Sequence, residues 1–99
     1  MKVACEVLEE VTESFVRKRG PRRMLLWVCL DRTADGGASR NTFDYEVSAH
    51  EQEKLAGKVV GGFVELTVTE IRPSFGNRVR CKGRVSKFAG QDFAPDGKR

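Results

Sequence analysis

Residues Phe63 to Phe88, FVELTVTEIRPSFGNRVRCKGRVSKF, decide how the rest of the chain is read. Two runs of alternating polarity flank a turn, a pattern that predicts two paired strands. In the first run Val64, Leu66 and Val68 share one side, and Glu65, Thr67, Thr69 and Ile71 the other. In the second, Val79, Cys81, Gly83 and Val85 share one side, and Arg78, Arg80, Lys82 and Arg84 the other. Side chains alternate across a strand, so these four cations are expected in one row on one face. Between the runs, Arg72-Pro73-Ser74-Phe75-Gly76-Asn77 has turn chemistry with an aromatic at its tip. An apolar back, a cationic front and a projecting Phe75 suit a nucleic-acid strand. A solvated outer face is the plainer reading of such a row, because Lys and Arg are normally exposed.

Just upstream, Ser48 followed by Glu51 is a capping box, and Gly57 supplies a left-handed stop. Together they predict a helix of about two turns between those residues. His50 falls in its first turn with no acidic or nucleophilic partner in view, and reads as a surface residue.

Before this helix the chain predicts three more strands. Residues 2–16 begin as one, with Val3, Cys5 and Val7 on one side. The alternation breaks at Leu8-Glu9-Glu10, which a bulge would explain. A helix competes here, since Val7, Leu8, Val11 and Phe15 also fit a helical stripe, but Thr12, Phe15 and Val16 favour the strand. Residues 17–23, RKRGPRR, read as a connector with Gly20-Pro21 marking a turn. MLLWVCLD, residues 24–31, is apolar on both sides and suits a central strand. If Met24, Leu26, Val28 and Leu30 face the core, Trp27 lies on the outer surface; the alternative is that another part of the chain covers it. After a loop at 32–42, Phe43, Tyr45 and Val47 make a third strand, paired with the second as a hairpin.

Three antiparallel strands, a short helix and a closing hairpin give a mainly β chain. That order (β-β-β-α-β-β) is the layout of a five-stranded OB-type barrel with its helix between strands three and four. Residues 1–90 are expected to form this single domain, and 91–99, rich in Gly, Pro and balanced charge, a flexible C-terminal tail.

Charge distribution carries the functional reading. The net charge is +4, and 11 of the 18 cations fall in residues 17–23 and 71–90, which contain no carboxylate. Such segregation makes a local field that attracts polyanions. An OB barrel binds oligonucleotides on the face of strands two and three, between the loops joining strands one to two and four to five. RKRGPRR and RPSFGN fall on those two loops. A sequence-tolerant single-strand binder needs cations along the phosphates and flat groups for base stacking. Arg17, Lys18, Arg19, Arg22, Arg23, Arg78, Arg80, Lys82 and Arg84 are the candidates for the first role, with Arg72 a lesser one. Trp27 and Phe75 are the candidates for the second, with Tyr45 a lesser third because it also suits the core.

From Phe63 to Val85, with Phe75-Gly76 at the tip, the chain resembles the OB-fold phage helix-destabilising proteins, where a short link feeds a hairpin with an aromatic–glycine tip. From Gly61 through Arg84 it is also similar to the closing hairpin of S1-like RNA-binding domains. Both resemblances imply single-stranded nucleic-acid binding, and they leave DNA against RNA open.

Other classes are weaker. Cys5, Cys29 and Cys81 are odd in number, form no CxxC and sit in strand-like runs, so they read as buried, reduced thiols rather than metal ligands. No metal, cofactor or catalytic constellation is legible: nucleophile–base pairing is missing, and Gly36-Gly37 and Gly61-Gly62 are too short to cradle phosphate. The start of the chain lacks a signal-peptide core, and nothing is apolar enough to span a membrane, which suggests a cytoplasmic protein. A protein-interaction module meeting an acidic partner surface is the alternative function. A homodimer through an exposed strand edge stays open.

Overall fold

The strand reading of the N-terminal segment holds, and so does its bulge. In a computed structural model, which describes residues 1–17, 20–32, 41–89 and 91–92, β1 runs from Lys2 to Arg17. The side chains of Phe15, Val16, Arg17, Pro21, Arg22, Phe75, Gln91 and Asp92 lie outside the description. The pairing register of β1 shifts between Val7 and Glu9, where the alternation fails. Gly61 and Gly62 dock at this bulge: the Gly61 N–H donates to the Val7 carbonyl at 2.8 Å, and the Val7 N–H to that of Gly62 at 3.0 Å.

β2 spans Gly20–Asp31 and pairs antiparallel with β1 along its whole length, from Cys5–Asp31 to Arg17–Gly20. This corrects the expectation of a free connector at 17–23. Arg17 and residues 20–23 are part of the ladder, and Lys18 and Arg19 lie outside the described residues. Pro21 is tolerated because this end of the hairpin is two-stranded, so each strand has an open edge for a residue without an N–H.

β3 (Thr42–Val47) pairs with β2, and helix α1 (Ala49–Leu55) follows at once. The capping box forms as the sequence predicts. Ser48 Oγ accepts the Glu51 N–H, and Glu51 Oε1 accepts the Ser48 N–H, each at 3.3 Å. Gly57, with φ at +76°, turns the chain out of the helix. β4 (Phe63–Pro73) and β5 (Val79–Phe88) form the predicted hairpin across a 3-10 turn at Phe75–Asn77.

The five strands close into a ring in the order β1-β2-β3-β5-β4, with β4 returning to β1. β3 and β5 are parallel and share two register pairs, Asp44–Arg80 and Tyr45–Cys81. The short helix lies between β3 and β4 in the chain. A two-residue strand, β6 (Gln91–Asp92), adds to β5, opposite Lys87 and Phe88.

Two bulges reshape the β4–β5 hairpin, one in β5 at Ser86, between Val85 and Lys87, and one in β4 at Thr69, between Val68 and Glu70. The bulge at Thr69 moves Ile71 from the side of Thr67 to that of Cys81, its register partner, and sets Arg72 opposite Arg80. Gly83 is required here. A Cβ on it would overlap the Thr67 carbonyl oxygen, so any side chain must push the strands apart.

The core fills the ring: Val7, Trp27, Cys29, Tyr45, Val59 and Leu66 are fully buried, joined by Cys5, Val64 and Val85. Trp27 is therefore on the inside: the side of β2 that carries Trp27 and Cys29 faces the core, not the side of Met24, Val28 and Leu30, so the condition for an outward Trp27 is not met and its role as a base stacker is corrected. Its ring lies 5.6 Å from that of Tyr45, and its indole N–H donates to Glu10 at 3.0 Å. Glu10 also accepts the Gly57 N–H at 3.1 Å, tying β1 to the end of the helix. Leu26, on the opposite side of β2, is also only 3% exposed, in register between Val11 and Glu46.

Candidate nucleic-acid interface

The seam between β3 and β5 is the narrowest in the ring, and most of the polar chemistry gathers there. Asp44, buried on β3, receives a bidentate grip from Arg78: Nε lies 3.0 and 3.1 Å from its two oxygens, and Nη2 2.6 Å from Oδ1. Arg78 also donates to Thr42 at 3.3 Å. The hydrogen bonds to this carboxylate raise the guanidinium's already high pKa, so Arg78 stays charged. Below it, Glu51 is a buried carboxylate. Its Oε1 accepts the Tyr45 hydroxyl at 2.7 Å, and its Oε2 accepts the Val85 N–H at 2.7 Å. One side chain thus caps the helix, holds β3 and holds β5. The capping role was legible in sequence; the other two require knowing that β3 and β5 are neighbours.

Ring closure changes the electrostatics that the sequence suggests. Cross-strand partners share a face, so the outer face of β5 lies beside the acidic outer face of β3. Lys82 pairs with Glu46 at 3.4 Å, Arg80 with Glu13 of β1 at 3.4 Å, and Arg72 with Glu70. The row Arg78, Arg80, Lys82 is therefore not a free cationic front, which corrects the expectation from alternation alone. Charges separated along the chain are interleaved in space. Arg84, at the other end of the row, is exposed with no ion pair among the described residues.

A cleft of about 210 Å³ opens on this face. Met24 of β2, Glu46 of β3, Arg80 and Lys82 of β5, and Arg72, Pro73 and Ser74 at the β4–β5 turn line it. The turn itself is tight. The Ser74 N–H donates to the Arg78 carbonyl at 2.8 Å, and Gly76 and Asn77 take φ values of +63° and +66°. Phe75 is at the tip in backbone, and its side chain lies outside the described residues.

Beyond the ring, β1 and β2 continue as an arm. The β1–β4 ladder ends at Glu6–Phe63, and the β2–β3 ladder ends at Leu25–Val47. Residues 11–17 of β1 consequently pair with β2 alone. The end of this arm carries Arg17, Lys18, Arg19, Arg22 and Arg23. Arg23 is exposed and has no ion pair among the described residues; Lys18 and Arg19 lie outside them.

Of the predicted stackers, Trp27 and Tyr45 are core residues and present no face to a base. A signal for this was present. Cys29 shares the side of Trp27 on β2, and reading Cys29 as a buried thiol turns Trp27 inward with it. The thiols do sit in the core. Cys29 is pushed well above the ordinary thiol range by its hydrogen bond with Cys5 and by burial. Cys81 is raised by burial, then by the nearby Cys5 and Asp44. A thiol held protonated is a poor nucleophile and a poor metal ligand.

No protein-family model matches this chain, and neither a curated protein nor a solved structure does.

Proposed function

We propose that this chain is an OB-type barrel that binds single-stranded nucleic acid without catalysing a reaction on it. The observation that carries the reading is the β1–β2 arm. Five cations and no carboxylate occupy residues 17–23, and the arm extends past the β1–β4 and β2–β3 ladders, where among the described residues no third strand pairs with it. A basic two-stranded arm attracts phosphates and tracks a flexible backbone. The ring order, the helix between β3 and β4 and the cleft under the β4–β5 turn support the OB reading. In that fold the ligand face lies between this arm and this turn. The ion pairing of β5 shifts the weight of binding toward the arm, with Phe75 as the base-stacking candidate and Arg84 as a further free cation.

A second reading, a protein-interaction module, is favoured by the ion pairing of Arg78, Arg80 and Lys82 on the outer face of β5 and by the partly buried apolar residues Met24, Val28 and Leu30 on β2, across β3 from it. Fluorescence anisotropy with labelled single-stranded DNA, single-stranded RNA and duplex DNA separates the two. Saturable, salt-sensitive binding that favours single strands supports the proposal. Absence of binding to all three at low salt removes it and leaves the interaction module.

A further inference from the structure

The cleft on the β5 face holds an unspent hydrogen-bond donor. Arg80 Nε is buried and has no hydrogen-bond partner among the described residues. The rest of its guanidinium is weakly engaged: Nη1 lies 3.6 Å from Met24 Sδ, and Nη2 3.4 Å from Glu13 Oε1. Arg80 is 23% exposed at the side chain, whereas Glu13 is 47% exposed. A long ion pair to an exposed carboxylate is screened and easily exchanged. Arg78 differs in its partner: it holds both oxygens of Asp44, at 2.6–3.1 Å, and that carboxylate is only 10% exposed. The four ion-paired cations around β5 therefore divide into one that is locked to the fold, Arg78, and three, Arg72, Arg80 and Lys82, whose partners a ligand can replace.

We infer that this cleft is a phosphate subsite, with Arg80 as its anchor and with Glu13 and Glu46 as built-in competitors that the phosphate must displace. The inference rests on the proposed function and adds a regulation of affinity to it. Arg72, Arg80 and Lys82 line the same 210 Å³ space, large enough for a phosphate group, with Ser74 as a further donor at the turn. Guanidinium groups favour phosphate through paired, charge-assisted hydrogen bonds. Removing a competing carboxylate then strengthens binding, an effect opposite to that of losing a structural ion pair.

The test uses the whole chain and three probes: inorganic phosphate, a mononucleotide monophosphate and a labelled oligothymidylate. The side-chain Nε–Hε resonance of Arg80 is followed by NMR, and oligothymidylate affinity by anisotropy. All three probes are expected to shift the Arg80 resonance. Glu13→Gln is expected to tighten oligothymidylate binding by about twofold to fivefold, as loss of one exposed pair allows, and Glu46→Gln to act in the same direction. Arg80→Gln is expected to weaken it about tenfold, the effect of losing a hydrogen bond to a charged group. Because Arg80→Gln could also disturb the fold, the gain in Glu13→Gln is the deciding variant. Oligothymidylate binding with no Arg80 shift, or with Glu13→Gln neutral or weaker, overturns the subsite and leaves the arm-based function standing. A shift with phosphate and mononucleotide but no oligothymidylate binding keeps the subsite and overturns the function. Movement with oligothymidylate alone excludes a free-phosphate site and assigns the cleft to the polymer's phosphodiesters.

Discussion

Replacing Glu51 by alanine should destabilise this protein far more than a change at any exposed position of its helix. Glu51 is 3% exposed and accepts the Tyr45 hydroxyl, the Val85 N–H and the Ser48 N–H. Water can reach Ser48 at the helix start, so that donor is readily satisfied without the carboxylate. The other two donors are buried. Leaving a buried donor unsatisfied costs about 1–3 kcal/mol, so the pair costs roughly 2–6 kcal/mol. A domain of this size has about 5–15 kcal/mol in total. The assay is urea denaturation followed by Trp27 emission, since Trp27 is the one tryptophan and lies wholly inside the ring. With a urea dependence of about 1–2 kcal/mol per molar, the midpoint should fall by about 2 M. Glu53→Ala, at an exposed position of the same helix, should change stability by less than about 0.5 kcal/mol. A double-mutant cycle with Tyr45→Phe should return a coupling of about 1 kcal/mol or more. A Glu51→Ala midpoint within about 0.5 M of the parent would refute the view that this carboxylate locks β3 to β5.

Three further outcomes follow from the same structure. Gly83→Ala should cost about 1–3 kcal/mol by forcing β4 and β5 apart at the bulge, read as a lowered urea midpoint. Stability should fall at alkaline pH. Tyr45 is raised by burial and then by its bond to Glu51, and Cys29 and Cys81 are raised as described. A folded pKa above the unfolded value gives stability that is complete below the unfolded pKa and is lost as pH rises beyond it. The decline should therefore begin near pH 8.5 for the thiols and near pH 10 for Tyr45, at up to about 1.4 kcal/mol per pH unit for each group. Urea midpoints between pH 7 and 10.5 check this, and a flat profile would contradict it. Phe75→Ala should weaken single-strand binding by about 1–3 kcal/mol, the usual contribution of one stacked base; unchanged affinity by anisotropy would remove the turn tip from the site.

The elements were more legible than their faces. Ser48, Glu51 and Gly57 fix the helix through local chemistry, and local chemistry survives folding. The broken alternation at Leu8 marks a real bulge for the same reason. Trp27 was misread because MLLWVCLD is apolar on both sides, so periodicity alone cannot choose the inward one. Leu26 and Trp27 are adjacent in sequence and both buried, one on each side of β2. The β5 cations were misread for a different reason. Arg78 and Asp44 are 34 positions apart, and Arg80 and Glu13 are 67 apart. No local window contains both partners, and the charge map along the chain shows separation where the ring produces pairing. Gly20-Pro21 reads as a turn signal in RKRGPRR, but in the two-stranded arm Arg17 and residues 20–23 continue the ladder.

The central claim is that the arm brings the chain to single-stranded nucleic acid. The most direct test compares the parent with a variant in which Arg17, Lys18, Arg19, Arg22 and Arg23 are all glutamine, by anisotropy of a labelled single strand across a salt series. If about four phosphates are neutralised, the parent's log affinity should fall with log salt at a slope of about −3. The variant should keep its urea midpoint, bind at least tenfold more weakly and show a clearly shallower slope, the remainder being carried by the cations of the cleft. Equal affinity and equal slope in the two proteins would contradict the account.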